Sequence, residues 1–146
     1  MEQTGTATEA GEGTAAARPS AVWPTLRYTD AKAAIAFLCE TFGFRQTIEV
    51  PEGDLVAHAE LVWPDGGAVM IASAAVDEGA PDPLPAGVGA VYLVTSEDRV
   101  RTLWERVRQL DVRVMFELHE ASYGSTTFTI RDHEGVYWTI GTYAGA

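Results

Sequence analysis

The stretch YGSTTFTIRDHEGVYW, residues 123–138, predicts a β-hairpin. Apolar and polar residues alternate on both sides of the turn DHEG at 132–135, and such alternation is typical of strands. A turn that ends in glycine between two strand-like runs indicates a hairpin connection. The sequence therefore predicts strands over residues 125–131 and 136–143.

An earlier hairpin has the same form. The turn PDGG at 64–67 also contains glycine, and strand-like runs flank it at 55–63 and 68–73. Superposing the two turns aligns Gly66 with Gly135, and the same offset aligns residues of the flanking strands. The aligned strand positions are Leu61 with Ile130 and Val69 with Trp138. An offset that the turn and both strands share indicates an internal repeat.

A helical pattern lies upstream of each hairpin. One predicted strand separates the two, at 45–50 in the first half of the chain and at 112–118 in the second. Each helical segment has an apolar face, which in residues 31–42 includes Cys39, interpreted as a small buried hydrophobe. The second helix is predicted over residues 97–110. The expected N-caps are Asp30 and Ser96, and Gly43 is the expected end of the first helix.

Short strands are also predicted at 23–28 and 88–94, ahead of the two helices. The order of strand, helix and three strands thus occurs twice. We predict an α+β fold of two βαβββ modules, residues 22–73 and 88–143, with a linker at 74–87. A chain of 146 residues suits one such domain, residues 22–143. Residues 1–21, rich in Thr, Ala, Gly and Glu, are predicted to be a flexible acidic tail.

Charge and composition limit the partners that we expect. The net charge of −11 would repel a phosphate backbone, so we expect no nucleic acid, and it would attract a cationic ligand. No apolar run is long enough to cross a membrane, and the start of the chain is a poor secretory signal. With Cys39 as the single cysteine, these features predict a cytoplasmic protein. The preference for arginine over lysine favours a bacterial source.

Residues 123–138 resemble the C-terminal motif of the vicinal oxygen chelate superfamily, which includes glyoxalases, extradiol dioxygenases and bleomycin-resistance proteins. Its members often have Tyr-Gly, then Phe-x-x-x-Asp-Pro-x-Gly, and an aromatic residue on the last strand. Here His133 stands in the place of the usual proline. Residues 26–30 and 37–44 also resemble the superfamily's first strand and helix. The resemblance implies a mixed sheet that curls into a cup.

Enzymes of that superfamily hold a divalent ion in the cup, with His or Glu on the first and last strands of each module. Carried over to this sequence, the four positions fall at Trp23, Met70, Gly89 and Thr139. None of these is a usual side-chain ligand for such an ion. The resemblance therefore predicts neither a metal nor another cofactor here.

His58 and Glu60 are the candidate catalytic residues, because residues two apart on a strand point to the same face. They could act as an acid–base pair, line a pocket, or contribute to an unusual metal site. Glu117 and His119 form a similar pair, which we interpret as solvated because a loop is predicted beside it.

The resemblance implies that, on the last strand of the second module, Tyr137 and Thr139 face the cup whereas Trp138 faces the helices. Period-two alternation extends that assignment to the other strands. The cleft would have aromatic walls, a methionine floor and a few polar groups, with one tyrosine at its mouth. The predicted ligand-binding residues are Trp23, Thr25, Arg27, Met70, Tyr123, Tyr137 and Thr139.

Two functions remain open from the sequence. One is a metal-independent small-molecule binding protein of the bleomycin-resistance type, holding an aromatic or cationic ligand. The other is an enzyme of the glyoxalase superfamily, acting as a lyase, isomerase or dioxygenase-like catalyst. An interaction module without a small ligand is a third possibility. The resemblance also implies a homodimer.

Overall fold

Each half of the chain forms one four-stranded sheet in this computed structural model, which describes residues 21–146. The first half comprises β1 (Thr25–Tyr28), α1 (Ala31–Phe37), a π-helical turn (Leu38–Phe42), β2 (Arg45–Glu52), β3 (Leu55–Val62) and β4 (Ala68–Ser73). The second half comprises β5 (Ala90–Val94), α2 (Glu97–Val107), β6 (Arg113–Glu120), β7 (Thr126–Arg131) and β8 (Tyr137–Gly141). A short 3₁₀ turn, Ala74–Asp77, begins the connection between them. Of the predicted tail at 1–21, residues 1–20 lie outside the described residues.

The two sheets have the same topology. Their strand orders are β1-β4-β3-β2 and β5-β8-β7-β6, with the first two strands of each order parallel and the others antiparallel. Leu61 pairs with Val69 in one hairpin, and Ile130 pairs with Trp138 in the other. The predicted α+β fold of repeated βαβββ modules is confirmed.

The helix ends differ in part from the predicted ones. Asp30 accepts a hydrogen bond from the Ala33 N–H at 3.1 Å, as expected of an N-cap. The first helix does not stay α-helical to its end, because Leu38–Phe42 widens into a π-helical turn before Gly43, whose φ is +86°. This positive φ favours glycine, whereas the Arg99 guanidinium that an added Cβ would overlap is the end of a flexible side chain and could move aside.

The second helix is shorter than predicted. Its N-cap is the expected one, since Ser96 accepts a hydrogen bond from the Arg99 N–H at 3.1 Å. The helix ends at Val107 rather than at residue 110, and Leu110 is 42% exposed instead of continuing the apolar stripe. The Leu110 N–H bonds to the Val107 carbonyl at 2.9 Å, and such i→i−3 bonds tighten and end a helix.

One apolar core joins the two modules. The Trp138 ring, which is fully buried as predicted, lies 6.1 Å from Phe42 and 5.8 Å from Phe44 of the first module, between ring centroids. Phe44 in turn packs against Trp63 at 5.0 Å. Cys39 packs at the margin of this core, and partial burial raises the pKa of its thiol, as expected for a structural cysteine. The faces of both sheets that carry the helices thus pack into one common core.

The hairpin turn of each module packs against the other module, at the point where that other module's first strand leads into its helix. In one direction, Trp63 Nε1 donates to the Val94 carbonyl at 2.8 Å, and the Thr95 hydroxyl donates to Asp65 at 2.8 Å. In the other, Glu134 accepts from backbone N–H groups that include that of Thr29 at 2.6 Å. These reciprocal contacts fix how the modules are oriented.

No helix in residues 21–146 is long and apolar enough to cross a membrane.

Candidate functional site

Each sheet has one face in the core and one face outside it. In β4, Val69 and Ile71 are buried while Met70 between them is not, and β8 has the same alternation. Residues that pair across strands with these outward-facing side chains lie on the same face, which identifies the outward-facing residues of the other strands. We call these surfaces the open faces. The first comprises Thr25, Arg27, Ile48, Val50, His58, Glu60 and Met70, and the second comprises Tyr92, Arg113, Phe116, Thr129, Arg131, Tyr137 and Thr139.

The first open face holds the candidate acid–base pair. His58 Nε2 and Glu60 Oε2 are 2.7 Å apart, and the two side chains are 37% and 31% exposed. The two side chains are therefore bonded to each other and remain accessible to a solute. Arg27, on the same face, donates from Nε to Asp77 at 2.7 Å, so a ligand would have to compete for that guanidinium.

A tyrosine cluster marks the second open face. Tyr92, on that face, and the nearby Tyr123 and Tyr143 line a shallow surface hollow of about 450 Å³ that is largely open to solvent, which we call the tyrosine cavity. The rings of Tyr123 and Tyr143 meet edge to face, with centroids 5.5 Å apart. The Tyr92 hydroxyl donates to the Tyr143 carbonyl at 2.8 Å, which ties the first ring to the chain beyond β8. An added Cβ at Gly141 would lie 2.7 Å from the Tyr92 oxygen, so glycine lets this ring lie against the strand.

The structure distributes the predicted ligand residues over both open faces. Thr25, Arg27 and Met70 lie on the first face with His58 and Glu60, whereas Tyr137 and Thr139 lie on the second. Tyr123 lines the tyrosine cavity, and Trp23 precedes β1. Within residues 21–146, no hydrogen bond, ion pair or ring contact joins the two sets. The predicted ligand residues are therefore divided between the two sheets of this chain.

Sequence reasoning missed two of the three tyrosines in the cavity. Tyr92 could have been found, because it lies between the more buried Val91 and Leu93 and so points away from the core. Tyr143 gives no such signal, since it follows β8 and its position depends on the loop that carries Tyr123.

The side chains on the first and last strands of each module do not suit a metal. Strand register places Thr25 opposite Met70 and Tyr92 opposite Thr139, instead of the expected Trp23 and Gly89, which precede β1 and β5. Two hydroxyls, a thioether and a phenol are a poor donor set for a divalent ion. The Thr139 and Tyr92 hydroxyls also have protein partners. No group of three or more His, Cys, Asp or Glu in the described part of the chain could hold a metal ion.

Comparison with known proteins establishes the class. The model of the Glyoxalase/Bleomycin resistance protein/Dioxygenase superfamily matches residues 20–140, so the chain belongs to this superfamily. Its fold is similar to that of TioX from Micromonospora sp. ML1, at 25% identity and a TM-score of 0.66, covering 84% of this chain and 98% of that one. No curated protein sequence matches this chain.

Two further solved structures support the fold. A lactoylglutathione lyase from Agrobacterium tumefaciens has 23% identity and a TM-score of 0.64, covering 85% of this chain and 94% of that one. A glyoxalase/bleomycin resistance protein/dioxygenase from Nocardioides has 18% identity and a TM-score of 0.62, covering 92% and 90% respectively. Because one fold of this kind carries different chemistries, the function has to be argued from the site.

Proposed function

We propose that the chain is a metal-independent small-molecule binding protein of the bleomycin-resistance type, holding an aromatic or cationic ligand against the second open face. The observation that carries this proposal is the cavity between Tyr92, Tyr123 and Tyr143. The three side chains are 41%, 63% and 46% exposed. Aromatic rings that remain open around a cavity are typical of sites for planar ligands.

The energetics of such a site favour stacking. A ligand ring that packs on one tyrosine gains about 0.5–1.5 kcal/mol beyond the area it buries. A cationic ring gains a further electrostatic contribution from the tyrosine faces. The net charge of −11 would also raise the rate at which a cation arrives.

The proposal includes a homodimer. Ile48 and Val50 on β2 are 45% and 42% exposed, and Phe116 on β6 is 63% exposed. These apolar side chains lie on the outer strands of the two open faces, where water would otherwise surround them. A second copy of the chain placed over these strands would bury them and narrow the space above each face.

Removing the rings of Tyr123 and Tyr143 is expected to weaken binding of a planar ligand about 5- to 150-fold, because one stacked and one edge-to-face contact are lost. The double variant Tyr123→Ala/Tyr143→Ala would be titrated by calorimetry with 2-naphthamide, a neutral probe, and with proflavine, a planar cation. The control Tyr123→Phe/Tyr143→Phe retains both rings and should bind within about twofold of the unmodified protein. A chelator should change neither affinity. Equal affinity in the ringless variant, or no binding of either probe, contradicts the proposal.

The contact between His58 and Glu60 favours a second candidate, a metal-free lyase or isomerase of the same superfamily. An imidazole 2.7 Å from a carboxylate and open to solutes could transfer a proton to or from a bound substrate. In this version the first open face, rather than the tyrosine cavity, would carry the chemistry.

His58→Ala is expected to leave ligand affinity within about tenfold, or ~1.4 kcal/mol, because the proposed ligand contacts the other face. The matched control is His119→Ala, whose ring Nδ1 bonds, within the described residues, to the backbone carbonyl of Glu117 alone, at 2.7 Å. Affinity and turnover of candidate substrates would be measured on both variants. Turnover that is lost in His58→Ala alone, with binding intact, supports the enzyme instead.

A further inference from the structure

A second cavity lies in the seam between the two modules. It has a volume of about 440 Å³, is partly open to solvent, and is lined by residues of both modules. Its lining includes Pro24, Trp63 and Asp65 from the first module and Tyr92 and Leu93 from the second. We call it the seam cavity. Small-molecule sites occur preferentially at junctions of this kind, and the volume lies in their usual range.

The seam cavity lies where two strand edges are not closed against each other. β1 and β5 are edge strands of their sheets, and no ladder of hydrogen bonds joins them within residues 21–146. They approach closely beside the linker, where the Gly87 N–H donates to the Arg27 carbonyl at 2.8 Å. Pro24, just before β1, and Tyr92 of β5 instead line the cavity. The gap is therefore a feature of how the modules dock, and a ligand there would contact both.

Asp65 is the only charged side chain that lines the seam cavity in the described part of the chain. It is exposed, and one of its two carboxylate oxygens accepts the Thr95 hydroxyl at 2.8 Å. Within residues 21–146 it forms no ion pair. Arg99, whose guanidinium lies 5.9 Å from the Trp63 ring centre, donates to the Phe42 carbonyl instead. A carboxylate oxygen is thus available to a cation at the wall of a largely apolar cavity.

We propose that the seam cavity is a second ligand site, which takes a small molecule with an ammonium group on a compact apolar body. The ammonium group would donate to the Asp65 carboxylate, in a hydrogen bond strengthened by both charges. The apolar body would pack against Val69 and Leu93. This site does not depend on the proposed function, because it lies in the seam, although Tyr92 contributes to the walls of both cavities.

Two probes of nearly equal shape test the site: cyclohexylmethylamine and the neutral cyclohexylmethanol. Neither has an aromatic ring that could stack in the tyrosine cavity. Each would be titrated by NMR, with the backbone amide signals of Gly66 and Gly67 as reporters, because both residues line the seam cavity. We expect both probes to shift these signals. The amine should bind about tenfold more tightly than the alcohol, the effect of one charge-assisted hydrogen bond.

Asp65→Asn removes the charge but keeps an oxygen that can accept the Thr95 hydroxyl, so the turn should remain docked. In this variant we expect the amine to bind no more tightly than the alcohol. The matched control is Asp82→Asn, which makes the same change of net charge at an exposed linker residue outside the cavity lining. This control should keep the preference for the amine, as should the double variant Tyr123→Ala/Tyr143→Ala.

Equal affinities of the two probes for the unmodified protein overturn the inference, as does a failure of both to bind. A preference for the amine that is lost equally in the two aspartate variants overturns it too, because net charge alone would then explain the effect. Shifts that spare Gly66 and Gly67, or that disappear in the tyrosine double variant, place the amine in the tyrosine cavity and likewise contradict the seam site.

Discussion

Replacing Asp132 with alanine is expected to lower the free energy of unfolding by about 4 kcal/mol, the largest effect of any single side chain considered. The carboxylate is only 7% exposed and accepts five hydrogen bonds. The donors are the backbone N–H groups of Glu134, Gly135 and Val136, the Tyr28 hydroxyl and Trp138 Nε1. Alanine would leave four of these groups without this acceptor, and only the Gly135 N–H would keep a bond, to the backbone carbonyl of residue 132.

Asp132 also connects the modules. Its contact with the Tyr28 hydroxyl, at 2.5 Å, spans 104 residues of sequence and joins β1 to the turn between β7 and β8. Burial, and after it the charge of Asp132, raises the pKa of Tyr28 far above its ordinary value. The phenol therefore keeps its proton and remains a donor at neutral pH. Loss of the carboxylate is expected to loosen the second turn from the first module.

The control for Asp132→Ala is Asp65→Ala, which makes the same change of charge in the turn of the first module. Asp65 is exposed and accepts one side-chain hydrogen bond, from Thr95, so its loss should cost about 1 kcal/mol or less. Urea unfolding of both variants, followed by circular dichroism, provides the comparison. Similar losses in the two variants would mean that the Asp132 bonds do not stabilise the fold as described.

Gly87→Ala is expected to cost about 3 kcal/mol, the second large effect. Gly87 has a φ of +73°, and its N–H donates to the Arg27 carbonyl at 2.8 Å. An added Cβ would overlap the carbonyl oxygen of Glu134 and lie 2.9 Å from that carbonyl's carbon. Because both neighbours are backbone in a docked turn, neither can move without breaking the contact between the modules.

Gly79→Ala separates the conformational cost from the clash. Gly79 lies in the same linker with a φ of +95°, but nothing lies within 4 Å of a Cβ added there. Strain alone should cost this variant about 1 kcal/mol. Thermal and urea unfolding of the two variants would be compared under one buffer condition. Equal losses would show that the linker does not pack against the second turn.

Both predictions concern contacts between the modules, at the turn 132–135 and the linker. The proposed ligand contacts use other residues. Asp132 and Gly87 hold the two sheets in their relative positions, whereas Tyr123 and Tyr143 are exposed. Variants at the exposed positions should change affinity while leaving the unfolding transition nearly unaltered.

The sequence by itself determined the modules, their strand order within each hairpin and the helix starts. These features depend on neighbouring residues: alternation selects one face of a strand, and a short polar side chain caps a helix. The alignment of Leu61 with Ile130 and of Val69 with Trp138 came from the repeated turns, and the two pairs occupy equivalent places in the two hairpins. The expected placement of Trp138 on the helix side came from the resemblance to the superfamily's last strand, and the ring is fully buried there.

Only the tertiary structure decided which side chains share a surface. It placed His58 on the first sheet and Tyr137 on the second, which local patterns alone could not relate to each other. It also brought Tyr92 and Tyr143 together from opposite ends of the second module. Register irregularities in β6 on both sides of Phe116 change which residues point outward, and a local pattern cannot reveal such shifts. A site made of side chains distant in sequence requires packing to assemble it.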